Sequence, residues 1–166
     1  LLGRAFGRSS FDTARMGCRL SADPRAAHAG KLAASRPSRS RISEKLFPKT
    51  HGLHGAGNAF RHALWNSLIM MYCCKVSSPK KALIWTEKIT QMHEDLFPNE
   101  PLQRKMDLHN NKVGRDYFMQ LLPTIHRQFF EKSFFIKELQ KKTANAKILK
   151  SLDDDFEGEL VYLDEK

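Results

Sequence analysis

Gly57-Asn58-Ala59-Phe60-Arg61-His62-Ala63-Leu64-Trp65-Asn66 opens the part of the sequence that decides the fold, and Met106-Asp107-Leu108-His109-Asn110-Asn111-Lys112-Val113-Gly114-Arg115 closes it. Between them stands the shorter run Met92-His93-Glu94-Asp95. Each run sets imidazole, carboxylate or carboxamide groups among apolar residues at helical spacing. Such groups need a partner when they are buried, because burial without one costs several kcal/mol. The three runs therefore predict three helices that share one polar centre.

The spacing of apolar residues predicts an all-α domain, a bundle of four to five helices over residues 44–152 with a short extended C-terminal tail. Asn58 is expected to cap the first helix of the centre, and Ser78-Pro79 to begin the second. Two prolines in residues 96–101 separate the second helix from a third over residues 102–122. Pro123 is expected to open a fourth helix, which residues 144–152 extend.

One glycine stands inside the third helix. Gly114 costs about 1 kcal/mol relative to alanine at such a position. A glycine at that cost predicts that another backbone or a ligand lies close against it.

Basic residues are concentrated in the N-terminal third. The net charge is +10, and residues 1–60 hold eleven Lys or Arg against three acids. We divide the chain into a basic, Arg/Ser-rich and poorly ordered segment over residues 1–45, with a linker at residues 34–41, and a helical domain over residues 46–166. The basic segment predicts nonspecific contact with nucleic acid or a membrane surface. It lacks the interleaved aromatics of a nucleic-acid-binding module, and its composition also overlaps with that of a mitochondrial transit peptide.

Hydropathy and cysteine content narrow the class of protein. No apolar run approaches the roughly 20 residues that a membrane span needs, so no transmembrane segment is expected. The three cysteines include the neighbours Cys73 and Cys74, which argues against a disulfide scaffold. The sequence predicts a soluble domain with reduced thiols.

The motifs, taken together, resemble one bacterial family. Residues 58–66, His93-Glu94, residues 106–115 and the tail Gly158-Glu-Leu-Val-Tyr-Leu163 stand in the order typical of DUF6973, an uncharacterised domain, over roughly residues 50–163. Such domains resemble C-terminal modules of secreted, Rhs-type toxins. The resemblance implies an all-helical effector that is secreted or delivered into a target cell, where it meets a host target. It implies no established reaction.

The residues themselves favour a hydrolase that works by metal-assisted or acid–base chemistry. The candidate catalytic residues come from three helices and are His62, His93, Glu94, Asp107 and His109. Mixed imidazole and carboxylate ligands suit a divalent metal such as zinc, with His62, His93 and His109 as the ligands and their rings within about 10 Å of one another. Without a metal, a histidine acts as the base and a carboxylate orients it. An anionic substrate is expected to meet Arg61, Asn66, Asn110, Asn111 and Arg115.

Helix geometry limits which of these side chains share a face. Asp107 and His109 point about 200° apart, because they are two residues apart on a helix. We therefore expect His109 and Asn110 to face the centre, with Asp107 standing behind the histidine.

The alternative interpretation is non-enzymatic. In an interaction module, the same His, Asn and Asp side chains would form a buried hydrogen-bond network that fixes the packing of the helices. A catalytic centre and a structural network differ in what the loss of His62 costs: activity in the first case, and stability in the second.

Overall fold

The structure is a computed structural model that describes residues 36–51 and 54–164. These residues form five helices: α1 (Arg36–Leu46), α2 (Ala56–Val76), α3 (Pro79–Leu96), α4 (Pro101–Leu121) and α5 (Lys132–Ala144). Two short strands, β1 (Lys147–Ile148) and β2 (Val161–Tyr162), pair in parallel. The predicted helical bundle with a short extended tail is confirmed.

Helix α2 is the centre of the bundle. The four other helices and β2 all pack against it. Its sequence is apolar on most of its circumference, and a helix of that kind is stable only when other elements surround it. Most of its side chains are accordingly buried, and Ala59, Phe60 and Cys74 are fully enclosed.

Helices α2 and α4 touch backbone to backbone at Gly114. A Cβ atom on this residue would lie 2.1 Å from the carbonyl oxygen of Ala63. One turn further along α2, the hydroxyl of Ser67 donates to the carbonyl of Gly114 at 2.8 Å. The predicted close approach at Gly114 is confirmed, and the partner is the backbone of α2.

The predicted helix boundaries are partly right. Ser78 caps α3, with Pro79 in its first turn, as expected. Asn58 is not the cap of α2, because the helix begins earlier and Gly55 stands at the cap position. Asn58 lies in the first turn instead, where its side-chain oxygen accepts a hydrogen bond from Arg61.

Two expectations outside the centre are wrong. The linker expected at residues 34–41 is helical from Arg36 onward, since a proline in the first helical turn lacks only an amide hydrogen that has no partner there. The helix expected from Pro123 begins only at Lys132, because residues 122–131 form successive turns, and it ends at Ala144 instead of extending through residue 152. Residues 1–35, which hold most of the predicted basic segment, lie outside the described residues.

The tail, residues 147–164, is bound to α4 by the side chain of Asn110, which makes the two backbone hydrogen bonds that a neighbouring strand would make. The amide of Asn110 donates to the carbonyl of Val161 at 2.8 Å, and its oxygen accepts from the Val161 amide at 3.0 Å. Met106, Leu149 and Val161 form a small second core beneath this clasp. The tail also reaches the loop before α2, where the Leu163 amide donates to the carbonyl of His54.

No helix within the described ranges is long and apolar enough to cross a membrane.

Candidate functional site

Polar side chains of α2, α3 and α4 meet in one buried cluster, which we call the polar centre. Its members are His62 and Asn66 on α2, Thr90 and Glu94 on α3, and Asp107, Asn111 and Arg115 on α4. Each is at least nine-tenths buried, and Asn66 and Asn111 are fully enclosed. Residues four apart lie on the same side of a helix, so each helix supplies its members as a single row. The predicted polar centre shared by three helices is confirmed as a structural feature.

His62 stands in the middle of the cluster. Its Nδ1 lies 3.2 Å from Oδ1 of Asn111 and 3.9 Å from Oε1 of Glu94. Its Nε2 lies 3.3 Å from Oδ1 of Asp107, within ion-pair distance but outside hydrogen-bond geometry. The imidazole therefore has a carboxyl group near each ring nitrogen.

Amide side chains connect the rest of the cluster. Nδ2 of Asn66 donates to Oδ1 of Asn111 at 2.6 Å, and Nδ2 of Asn111 donates to Oε1 of Glu94 at 3.2 Å. Nη1 of Arg115 donates to Oδ1 of Asn66 at 3.0 Å and to Oγ1 of Thr90 at 3.4 Å. The chain of contacts thus runs without a gap from Arg115 to Glu94.

Both carboxyl groups hold their protons more tightly than usual. Burial raises the pKa of Asp107 to about 6, although His54, Arg61 and a hydrogen bond from Asn99 act in the opposite direction. Burial also raises the pKa of Glu94, against the influence of His62. A carboxyl group whose pKa is raised toward neutrality can act as a general acid, which an ordinary aspartate cannot.

Arg61 lies at the edge of the centre and is only half-buried. Burial lowers its pKa, and the neighbouring carboxylates of Asp107 and Glu94 oppose that effect. Its guanidinium donates to the neutral side chain of Asn58, and no carboxylate in the described part of the chain forms an ion pair with it. Arg115 differs, because it is buried and pairs with the exposed Glu87 at 3.6 Å.

Three of the five predicted catalytic residues come together, namely His62, Glu94 and Asp107. Three of the five predicted substrate-binding residues also belong to the centre, namely Asn66, Asn111 and Arg115.

The assignment of the two faces of α4 is wrong. His109 and Asn110 turn to the tail: Nε2 of His109 lies 2.7 Å from the Glu159 carbonyl, and Asn110 clasps Val161. Asp107 contacts His62 directly instead of standing behind His109. Neighbouring helical residues point about 100° apart, so packing α4 on α2 through Asp107 and Asn111 turns Asn110 to the tail.

The predicted metal ligands do not form a metal site together. His93 packs edge-on against Trp65, with ring centroids 5.1 Å apart, and also against Phe97, while His109 faces the tail. Across residues 36–51 and 54–164, no group of three or more His, Cys, Asp or Glu side chains is placed to hold a metal ion.

Sequence reasoning missed one member of the polar centre, Thr90, and one residue that contacts it from outside, Asn99. Thr90 accepts from Arg115, and Asn99 donates to Asp107 at 3.1 Å. Thr90 stands four residues before Glu94, so the helical spacing carried a signal for it. Asn99 lies between two prolines in the connection from α3 to α4, where spacing gives no such signal.

Comparison with known proteins identifies one family. The model of a family described as a domain of unknown function, DUF6973, matches residues 26–147. The matched segment contains the whole polar centre, begins inside the basic segment and ends at β1. The family predicted from the motifs is confirmed, and the match begins and ends earlier than the residues 50–163 expected for it. No curated protein and no solved structure matches the chain.

Proposed function

The chain belongs to the DUF6973 family, and we propose that its polar centre is the active site of an acid–base hydrolase in an effector-type domain. One observation carries the proposal: a buried imidazole, that of His62, stands between two carboxyl groups whose pKa values are both raised. Perturbed acids beside a histidine are more frequent at catalytic sites than elsewhere in proteins.

The pair formed by His62 and Asp107 can perform both proton transfers of a hydrolysis. Nε2 of His62 accepts a proton from the water molecule that attacks the substrate. Asp107, in its protonated form, gives its proton to the leaving group. The imidazolium then returns a proton to Asp107 across their 3.3 Å contact, which restores both groups.

An anionic substrate fits the charge at the edge of the centre. Arg61 is half-buried beside Asp107 and Glu94, and its side chain donates to a neutral amide. A guanidinium in that position can bind a phosphate or carboxylate group of the substrate with two parallel hydrogen bonds. Arg115, which donates to Asn66 and Thr90 inside the cluster and pairs with Glu87 outside it, supports the site from the α4 side.

Delivery into a target cell is proposed from the resemblance to toxin modules. It predicts that expression of the full chain inside a bacterial host slows growth. The same assay distinguishes an effector that acts inside cells from one that acts on the outside, when the chain is expressed with and without a signal for export.

The test uses purified full chain against a set of chromogenic substrates: a phosphodiester, a carboxylic ester and an anionic phospholipid. We expect His62→Gln and Asp107→Asn to abolish hydrolysis. The same two changes should also abolish the growth inhibition that the full chain causes. His109→Gln is the matched control, because it makes the same change in a histidine that faces the tail. Equal activity of His62→Gln and wild type would refute the proposal, and so would the absence of any turnover or growth effect.

The depth of the polar centre favours one second candidate, a structural network. Asn66 and Asn111 are fully enclosed. An open groove of about 490 Å³ on the surface of α4 is lined by residues outside the polar centre, among them Arg104, Lys105 and Lys112. In an interaction module the network would set the helix packing, and its isosteric neutral variants would lose stability without any activity to lose.

A further inference from the structure

The direction of each hydrogen bond in the polar centre follows from groups that can only donate or only accept. A guanidinium has no acceptor, and a backbone carbonyl has no donor. Two such groups touch Asn66 from opposite sides, and they decide how its amide is turned.

Two contacts independently fix the orientation of the Asn66 side-chain amide. Nη1 of Arg115 lies 3.0 Å from one end of its side-chain amide, which must therefore be the oxygen. The other end lies 3.1 Å from the carbonyl of His62 and must be the nitrogen. The second hydrogen of that nitrogen points to Asn111, 2.6 Å away.

The hydrogen bond from Asn66 fixes the orientation of the Asn111 side-chain amide. The atom that receives the Asn66 hydrogen must be the oxygen, which leaves the amide nitrogen to donate to Glu94 at 3.2 Å. That same oxygen lies 3.2 Å from Nδ1 of His62. An oxygen can only accept, so a hydrogen bond at this distance requires a proton on Nδ1.

We propose that this amide chain, anchored by Arg115, holds His62 in the tautomer that carries its proton on Nδ1, and leaves Nε2 as the atom that exchanges a proton with Asp107. Asn66, Asn111 and Arg115 are thereby positioning residues. The inference rests on hydrogen-bond direction and does not require hydrolysis. If the proposed reaction takes place, Nε2 is the atom that performs it.

Asp107 fits this assignment. Its Oδ1 faces Nε2 at 3.3 Å and makes no hydrogen bond within the described residues. A carboxylate facing an unprotonated nitrogen sets two lone pairs against each other, which favours a proton on one of the two groups. The pKa of Asp107, raised by burial to about 6, agrees with a carboxyl that keeps its proton more readily than usual.

The direct test is nitrogen NMR of the full chain labelled with ¹⁵N-histidine. We expect the His62 signal to show a protonated, pyrrole-type Nδ1 at every pH where the protein is folded. Nε2 is then either bare or, in the imidazolium, protonated as well. A neutral His62 with its proton on Nε2 and a bare Nδ1 would overturn the proposal.

One nearly isosteric substitution should reverse the tautomer. In Asn66→Asp the carboxylate still pairs with Arg115 but has no hydrogen to give. Asn111 then turns its nitrogen toward residue 66 and toward Nδ1 of His62, and its oxygen toward Glu94, which donates to it from the protonated carboxyl that its raised pKa favours. Nδ1 becomes an acceptor, and the proton moves to Nε2. A folded Asn66→Asp protein with an unchanged His62 spectrum would show that the amide chain does not control the ring.

Asn111→Asp is the matched control, because it places acceptor oxygens toward both Asn66 and Nδ1. We expect it to keep the proton on Nδ1, and a proton shifted to Nε2 would count against the proposal. Should Asn66→Asp fail to fold, the His62 spectra of wild type and of Asn111→Asp still show which ring nitrogen carries the proton. Because both readouts are spectroscopic, they stand if no hydrolysis is found, and hydrolysis can be found even if they fail.

Discussion

Helix α4 has two ends that bury opposite kinds of side chain. At the first end, His62 of α2 meets Asp107 among further polar groups. At the second end, Phe118 joins an aromatic cluster with Phe130 and Phe135, with ring centroids 4.5–5.9 Å apart. Helix α4 therefore buries charge toward its first end, against α2, and hydrocarbon toward its second, against Phe130 and Phe135.

The two ends contribute differently to stability. Aromatic burial is favourable outright, and ring pairs add about 0.5–1.5 kcal/mol beyond the area that they bury. Burying carboxyl groups and an imidazole is costly, and their mutual attraction often does no more than offset the loss of water. We infer that the aromatic end stabilises the bundle, whereas the charged groups of the polar end add little net stability.

The largest expected effect is at the aromatic end. Phe118→Ala should lower the free energy of unfolding by about 3–5 kcal/mol, because it opens a cavity among fully buried rings. Denaturant unfolding measures the loss. Phe129, which is 73% exposed, is the matched control, and its change to alanine should stay within about 0.5 kcal/mol. Equal losses at the two positions would remove the basis for the comparison.

A pH effect of about 3 kcal/mol is expected from the polar end. Burial raises the pKa of Asp107 to about 6 from an ordinary value of about 4, and each unit corresponds to about 1.4 kcal/mol. The native state then binds the Asp107 proton more tightly than the unfolded state. Its contribution to stability is therefore full below about pH 4 and is lost as the pH rises to about 6.

The measurement compares wild type with Asp107→Asn by urea unfolding across that range. The stability difference, wild type minus variant, should fall with rising pH and level off above about pH 6. The exposed Asp155, changed to asparagine, serves as control. A difference that rises with pH would mean that Asp107 is stabilised as a carboxylate, which is the behaviour of a structural ion pair.

Gly114→Ala tests the close contact of α4 with α2 beside the polar centre. A methyl group there would meet the Ala63 backbone, so the helices must move apart, at a cost of about 1–3 kcal/mol. Gln120→Ala, an exposed change on the same helix, is the control for helix propensity. Thermal unfolding measures the stability of both variants. A Gly114→Ala protein as stable as wild type would contradict the close approach of α4 to α2.

Helices α2, α3 and α4 could be predicted from sequence because their signals are local. Apolar spacing, the Ser78-Pro79 start and the two prolines before α4 all act within a few residues. The wrong boundaries have other causes. The helix at Arg36–Leu46 is polar, so it lacks the apolar spacing that predicts a helix. The turns at residues 122–131, which delay the start of α5 to Lys132, have no clear signal in the sequence before them.

The polar centre could be predicted as a set of helices but not as a set of contacts. Asn110 and Asn111 are chemically identical and adjacent, and only the docking of α4 decides which one faces His62. The tail, which binds Asn110, decides the same question from the other side. Such choices depend on residues about fifty positions apart, beyond the reach of helical periodicity.

Neutral isosteres of the two buried carboxyl groups test the central claim most directly. In a protein that carries both Glu94→Gln and Asp107→Asn, the new carboxamide on α3 can still accept from Asn111, and the new carboxamide on α4 can donate to Nε2 of His62. The shapes and hydrogen bonds are kept while the charge is removed. We predict that near pH 8 its free energy of unfolding equals or exceeds that of wild type by up to about 4 kcal/mol, while hydrolysis is lost. A loss of several kcal/mol would show instead that the charged network holds the fold together.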